Sequence, residues 1–532
     1  MSCILRRARG VLGCALILGD LAACKGEPRR TGDAAGPASS EAPAAGAPAL
    51  PPPGPWFAGS PEQAFAEARA RGKLVFFYWG AAWCPPCNEL RAEVFQRPRF
   101  AEIMQGFVPV YLDGDTEGAQ RWGEALGASA YPTLLILGPD REELLRLNGS
   151  VDLRELEQAL QAVSGRSQGF RAAVQRLEQG AAQPEDLRVL AHAAWAELPE
   201  EAYGRARCFT LLQQAVDLCP PDLGRERALL AAHLLTLAIA GRGSADLQPA
   251  LRDLEARAPV LLDAAFADPE ATWAARWFVV HRAGDMAAWL QPKGDAYEAW
   301  KRRWLAAAAL VRDREDAPVE LRLYAARPAL DLFRHGSPEG PAPEALRAEV
   351  EAAVRRADEQ ARSPAERDAM LSGAAYLLRR IGAHDRARQM LLAAAQRSAT
   401  PFYHYSSLSA LEQELGRAAE ARQWSAKARQ VTGGRATRLQ WITNDILLNA
   451  RPESPEQRTY LLALAEEFHE LATGLADGFS GRNRARAEQV REALGALRGE
   501  PLQKLAARYR ERCDRLDGEG RESCRRHFEA LR

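Results

Sequence analysis

An excess of charge of either sign is the first thing this chain lacks. Lys and Arg together number 70, Asp and Glu together 70, and the formal net charge is zero. That balance supplies no global electrostatic pull toward nucleic acid, and no nucleic-acid partner is expected. The basic side chains are nearly all Arg, which, with the abundance of Ala, reads as genome composition rather than phosphate recognition. Histidine is sparse: 8 residues, scattered, with no His-Glu-x-x-His pattern. No Gly-x-Ser-x-Gly or phosphate-loop pattern occurs either, and Gly478-Phe479-Ser480-Gly481 lacks the elbow spacing and reads as a turn between helices. No metal or cofactor is implied. The apolar fraction, 47% of 532 residues, is ordinary for globular protein and suffices for about three or four domains' worth of core.

Cysteine is scarce as well, 9 in all, which makes one pair conspicuous: Trp83-Cys84-Pro85-Pro86-Cys87. It follows the apolar, aromatic run Leu74–Trp79, which reads as a buried strand broken at Gly80, and it precedes an amphipathic run. The order is strand, turn, helix, with the first thiol at the helix N-terminus. Unpaired backbone N–H groups and the helix dipole there favour a thiolate, and the Cys84 thiol is expected below the free value of about 8.5. Pro85 suits the first helical position, where its missing N–H costs little. Cys87 lies one turn on, within reach of a mixed disulfide on Cys84. This assigns Cys84 as nucleophile and Cys87 as resolving thiol. A stabilising disulfide and half of a zinc site are the alternatives; zinc would usually need a second ligand pair, and none follows at the expected spacing.

The N-terminus carries no apolar run long enough to span a bilayer as a folded helix. Arg6, Arg7 and Arg9 precede a short apolar core, Val11–Leu18, and then Leu21-Ala22-Ala23-Cys24. This resembles the lipobox of bacterial lipoproteins, which implies Cys24 as the lipidated first residue of the mature chain and residues 1–23 as signal peptide. An ordinary cleaved secretory signal is the alternative. Either way the protein is expected outside the cytoplasm, and lipidated it would be held at a membrane of the bacterial cell envelope, facing the periplasm. Residues 24–55, rich in Pro, Ala, Gly and Ser, read as a disordered tether. It reaches roughly 30 Å as a coil and up to about 95 Å as polyproline II.

Residues 56–165 have the pattern of a small α/β domain. Ser60-Pro61-Glu62-Gln63 is a helix start with a capping box, and Gly72 ends the helix. The strand over Lys73–Trp79 and a helix over Pro85–Gln96 follow. A second strand spans Phe107–Leu112, a helix Thr116–Leu126, and a hairpin Leu134–Leu137 with Glu142–Leu147. A last helix spans Asp152–Val163, with Asp152 and Glu155 as its capping box. This order, the Trp-Cys-x-x-Cys sequence and the later Tyr131-Pro132-Thr133 before an apolar strand resemble the thioredoxin superfamily, closest to envelope thioredoxin-like domains of bacteria. The resemblance implies a cis Pro132 packed against the cysteines. It also implies that Tyr131 and Pro132, with Trp83 and Pro85, form the wall on which a substrate chain docks. One departure is plain: many members carry a buried Asp six residues before the first Cys, and here Tyr78 stands there. A phenol with a pKa near 10 is a poor base, so water, a residue elsewhere such as Glu89, or a different redox bias must substitute.

Beyond Gly165 strand signals nearly vanish, and residues 166–532 read as an array of amphipathic helices, about 15 to 20 by typical length. The pairs Gly382/Gly416, Ala387/Ala421 and Ala394/Ala428 share an offset of 34. Residues 368–435 therefore resemble two tetratricopeptide repeats, and Gly284–Trp289 hints at another. Such an array offers a concave surface for a protein partner; a helical scaffold without a discrete ligand is the alternative. Cys208–Cys219 and Cys513–Cys524 are each 11 apart. Along one helix that is about 16 Å, beyond the roughly 4.4–6.8 Å a disulfide allows. Phe209–Leu218 reads as one helix, which disfavours the first bond. The turn Asp517-Gly518-Glu519-Gly520 permits the second.

The sequence thus points to a membrane-tethered thiol-disulfide oxidoreductase, acting on protein thiols and disulfides with a separate redox partner. The alternative is an interaction lipoprotein whose helical array binds the partner and whose thioredoxin-like domain is accessory.

Overall fold

The computed structural model describes residues 54–532 apart from 82–83, 115–118, 120–121, 124, 129–130, 148, 150, 165–168, 199–201, 337–339, 399, 433–434, 476, 498, 517 and 532. Cys24, most of the tether and Trp83 lie outside the described residues, as does much of the helix expected over Thr116–Leu126.

The first domain is built on four strands: β1 (Leu74–Gly80), β2 (Phe107–Asp113), β3 (Thr133–Leu137) and β4 (Glu143–Leu147), in the order β2-β1-β3-β4. β1 runs parallel to β2 and antiparallel to β3; β3 and β4 form the hairpin. β1 is central and covered on both faces, which is why it reads as an unbroken apolar run. Its side chains still alternate. Val75 and Phe77 pack with Ala64, Phe65 and Ala68 of α1 (Pro61–Arg71) on one face. Phe76 and Tyr78 join Phe95 and Phe100 on the other. The capping box of α1 is formed by Ser60 and Gln63, and Gly72 closes the helix at φ 63°.

The helix after the dithiol is not one regular helix. α2 (Pro85–Leu90) passes into a π turn over Arg91–Phe95, and a separate α3 (Pro98–Met104) follows. The helical run from Pro85 thus ends with Gln96 as its cap, where the periodicity places its end, and Pro98 at the first position of α3 starts the new helix. α4 (Leu153–Val163) closes the domain, capped by Asp152 at the Glu155 amide, 2.7 Å away. The Glu155 side chain does not complete a capping box; it reaches Arg276, at 2.6 Å.

About 20 α-helices follow among the described residues. The first of them, α5 (Phe170–Glu178), α6 (Pro184–His192) and α7 (Arg205–Leu218), extend the core of the small domain rather than starting a separate one: one apolar cluster runs from Phe76 through Val174, Leu187 and Leu212 to Trp304 and Leu332. Further helices named below are α8 (Arg276–His281), α9 (Val319–Tyr324), α10 (Pro364–Arg380), α11 (His384–Ala395), α12 (Pro401–Glu414) and α13 (Ala418–Val431). The α10/α11 and α12/α13 hairpins repeat one another. Gly382 and Gly416 turn each pair at φ 83° and 72°, and Ala387, Ala421, Ala394 and Ala428 are buried at equivalent positions. Gly284 is different: it lies within the helix Ala283–Leu290 against Asp331, not at a left-handed turn, so the hint of a repeat there does not hold. α7 is a single helix, and Cys208 and Cys219 at its two ends donate to separate carbonyls, those of Tyr203 and Leu223. Cys513 and Cys524 are joined in a disulfide, Cα–Cα 5.6 Å. No helix among the described residues is long and apolar enough to cross a membrane.

Candidate active site

Strand β1 ends at Gly80, and Cys84 follows as the N-cap of α2, with Pro85 at the first helical position. The Cys84 carbonyl accepts from the Asn88 amide at 3.0 Å, so the chain is already turning at the first thiol. Cys87 stands one turn on. Neither is disulfide-bonded, and both have 0% exposure. The side chain of Pro85 and all of Trp83 fall outside what can be described.

The second wall of the site is in place. The Tyr131–Pro132 peptide is cis. The Tyr131 hydroxyl donates to the Gly114 carbonyl at 2.8 Å, and its ring lies 4.1 Å from that of Trp79. A Cβ on Gly114 would sit 2.1 Å from that hydroxyl, so the glycine is what lets the tyrosine lie across the strand ends. Trp79 is held in turn by a bond from its indole N–H to the Ala119 carbonyl, 3.0 Å. Pro132 packs on Gly149.

Tyr78 occupies the floor. Its ring contacts Phe95 at 4.7 Å, Tyr111 at 5.4 Å and Trp56 at 5.7 Å. A Cβ on Gly80 would meet the phenol oxygen at 2.3 Å, so the ring folds back over that glycine. The hydroxyl lies beside the Cys87 thiol. Burial pushes the phenol well above its ordinary value, and the neighbouring Cys87 and Cys84 push it further. Tyr78 therefore keeps its proton beside the resolving sulfur and is not a base.

Glu89, the candidate substitute base, points elsewhere. It is half-buried, and the groups that act on its carboxyl include Glu320 on α9 of the helical array. Burial raises its carboxyl and the nearby Glu93 adds to this, while Glu320 and the Arg276 guanidinium oppose it.

Arg276 was not singled out by any sequence motif. It is 2% exposed, bonded to Glu155 at 2.6 Å and Asp152 at 3.4 Å, and it stacks on Trp273 at 4.9 Å. The Trp273 indole donates to Asp152 at 3.1 Å. Burial works against ionisation of Asp152, yet Arg276 and the helix-capping bond hold its carboxyl below the ordinary value. This cluster ties α4 to α8. The signal was a buried-looking Trp-x-x-Arg in an apolar helix, but its partners lie 121 residues away in sequence.

The helical array also packs against the dithiol helix. α10 packs against α2, and Tyr131 and Pro132 are buried along with both cysteines. Tyr131 and Pro132, expected from the sequence to meet a client chain, are not open to solvent in this conformation.

Chemically, two neighbouring thiols at a helix start can form and break one disulfide, with Tyr78 presenting a donor to the second sulfur. No group of three or more His, Cys, Asp or Glu among the described residues could hold a metal ion. A family model described as a thioredoxin-like domain matches residues 61–164. No curated protein matches the chain.

Proposed function

Taking residues 61–164 as a thioredoxin-like domain, we propose that the protein is a thiol-disulfide oxidoreductase of the bacterial envelope, acting on protein substrates through Cys84 and Cys87. What supports this is the pair of thiols at the first turn of α2, in one apolar cluster with Tyr131, whose bond to Pro132 is cis, and near Tyr78. In the reducing direction the Cys84 thiolate attacks a client disulfide, one client thiolate leaves, and a mixed disulfide remains. Cys87 then attacks the Cys84 sulfur and expels the second client thiolate. Two electrons pass to the client and the Cys84–Cys87 disulfide forms; a dithiol partner must reduce it again. The reverse sequence oxidises clients. Trp83, Pro85, Tyr131 and Pro132 would line the client chain. Cys24 would carry the lipid anchor, and the tether would let the domain work at a distance from the membrane.

Cys87→Ser tests this. It should leave Cys84 linked to clients as mixed disulfides that disappear when Cys84 is also replaced. Absence of any Cys84-linked species, together with no disulfide-reducing activity of the wild-type chain, would overturn it.

One observation favours a second reading. Both cysteines are buried and α10 of the array packs on α2, as in an interaction protein whose helical pairs bind the partner. The matching turn glycines and buried alanines of α10–α13 support their reading as tetratricopeptide-like repeats.

A further inference from the structure

With both cysteines, Tyr131 and Pro132 buried, a client's first contact with the chain lies on another surface. One concave surface of the array has the size and the chemistry for it. A cavity of about 740 Å³ opens between the end of the helix Gly294–Asp313, α9 and the helix Glu344–Gln360. The last of these lines it with Glu349, Ala353, Arg356, Ala357 and Gln360. That spacing is a single stripe of a helix about 16 Å long, the length of an extended segment of about five residues. The floor is apolar and shallow in side chains: Ala353, Ala357 and Leu323 are buried there, so a main chain can lie close to it.

Charged groups form the rim, and their bonding differs. Arg312 is spent on Asp313, in a fork of 2.7 and 2.8 Å. Arg322 is half-buried; one N–H of its guanidinium donates to the Glu315 main-chain carbonyl, and its buried Nε has no acceptor. The exposed guanidiniums of Arg356 and Arg362 form no ion pair or hydrogen bond among the described residues, and neither do the carboxylates of Glu315 and Glu349. Three guanidiniums against two carboxylates leave the cleft with a positive excess. Arg322, the half-buried one, is the least hydrated of them, so a carboxylate gains most there. A phosphate polyanion fits less well, because Glu315 and Glu349 would meet its successive charges.

We propose that this cleft binds an extended acidic segment of a protein partner, with one carboxylate on Arg322 and its neighbours between Arg356 and Arg362. α9 packs on α10, and α10 on α2, so a partner held here is held by the helices that seat the dithiol helix. That the partner is a client of Cys84 rests on the redox reading above; the binding itself does not.

The probe is fluorescein-labelled hexaglutamate, titrated with the full-length chain and read by fluorescence anisotropy. It should bind the wild-type chain, and labelled hexalysine should not. Arg356→Glu combined with Arg362→Glu alters only exposed side chains and should weaken binding at least about tenfold. Arg322→Gln should also weaken it about tenfold. Arg252→Glu, an exposed position on the helix Gln248–Ala265 outside the cleft, should stay within about twofold of wild type. No binding of hexaglutamate to the wild-type chain would overturn the proposal. So would equal losses in Arg252→Glu and the double variant, which would mean non-specific attraction. Tighter binding of an oligothymidylate of the same charge would overturn it as well, in favour of a nucleic-acid site. Binding involves no thiol exchange. A failed Cys87→Ser trap with this binding pattern would therefore sink the redox reading and leave the cleft standing; a successful trap with no hexaglutamate binding would do the opposite.

Discussion

Replacing Tyr78 with Phe removes a single oxygen from beneath the dithiol. The ring contacts to Phe95, Tyr111 and Trp56 are kept, so the floor should hold its shape. What is lost is the hydroxyl beside Cys87, the one donor Tyr78 can offer that sulfur. A donor gains more from a sulfur that carries charge than from one in a disulfide, so Tyr78 favours the reduced pair. Hydrogen bonds to charged groups contribute about 1.5–3 kcal/mol, and neutral ones about 1. A differential of about 1–2 kcal/mol is reasonable for a pair that is only partly ionised when reduced. With about 1.4 kcal/mol per 30 mV for a two-electron couple, the potential should fall by roughly 20–40 mV. The assay is equilibration of the full-length chain in glutathione buffers, acid quench, and mass spectrometry of the Cys84–Cys87 peptide. A potential unchanged within about 10 mV, or moved upward, would refute the role given to the phenol.

Gly80→Ala should act on the same group from the other side: its Cβ would lie 2.3 Å from the Tyr78 phenol, costing about 1–3 kcal/mol. A double-mutant cycle with Tyr78→Phe should show coupling between the two. Arg276→Met leaves Glu155 and Asp152 without their buried partner and should lower stability by about 3–5 kcal/mol in denaturant titrations; a loss under about 1 kcal/mol would contradict the junction described. Acid should loosen the helical array. His233, His404 and His469 are each pushed down to about 4 by burial. The folded state thus holds them neutral while the unfolded chain takes up protons below about 6.5. Stability is full above that value and falls as pH drops from about 6.5 toward 4, by up to about 3 kcal/mol per residue. Thermal melts at fixed ionic strength should show it, and a flat Tm across that range would count against it. Cys524→Ser should cost about 2–4 kcal/mol by releasing the Cys513 disulfide, read as earlier unfolding of the C-terminal helices in hydrogen exchange.

Much of the first domain was legible in the sequence because its signals are local. Ser60-Pro61 with Gly72, the apolar run of β1, and the strand-turn-helix around Cys84 each depend on neighbours within a few residues. The 34-residue offset exposed the α10–α13 pairs for the same reason: turn glycines and close-packed alanines recur where helices pack identically. The replacement at Tyr78 was visible too, but its consequence was not, because the phenol's direction depends on the empty space above Gly80. Helical periodicity could not show the π turn at Arg91–Phe95, which leaves the apolar pattern almost unchanged. Least legible was the relation between the two halves of the chain. Arg276 on Glu155 is a tertiary pair, and charged residues at such spacings are ordinarily solvated.

The most direct test of the central claim is whether Cys84 and Cys87 form a reversible couple in the full-length chain. A redox titration with long equilibration, read by mass on the peptide that carries both, should show the two thiols disappearing together in one two-electron transition. Both thiols persisting through the most oxidising mixture, or only one of them reacting, would contradict the account.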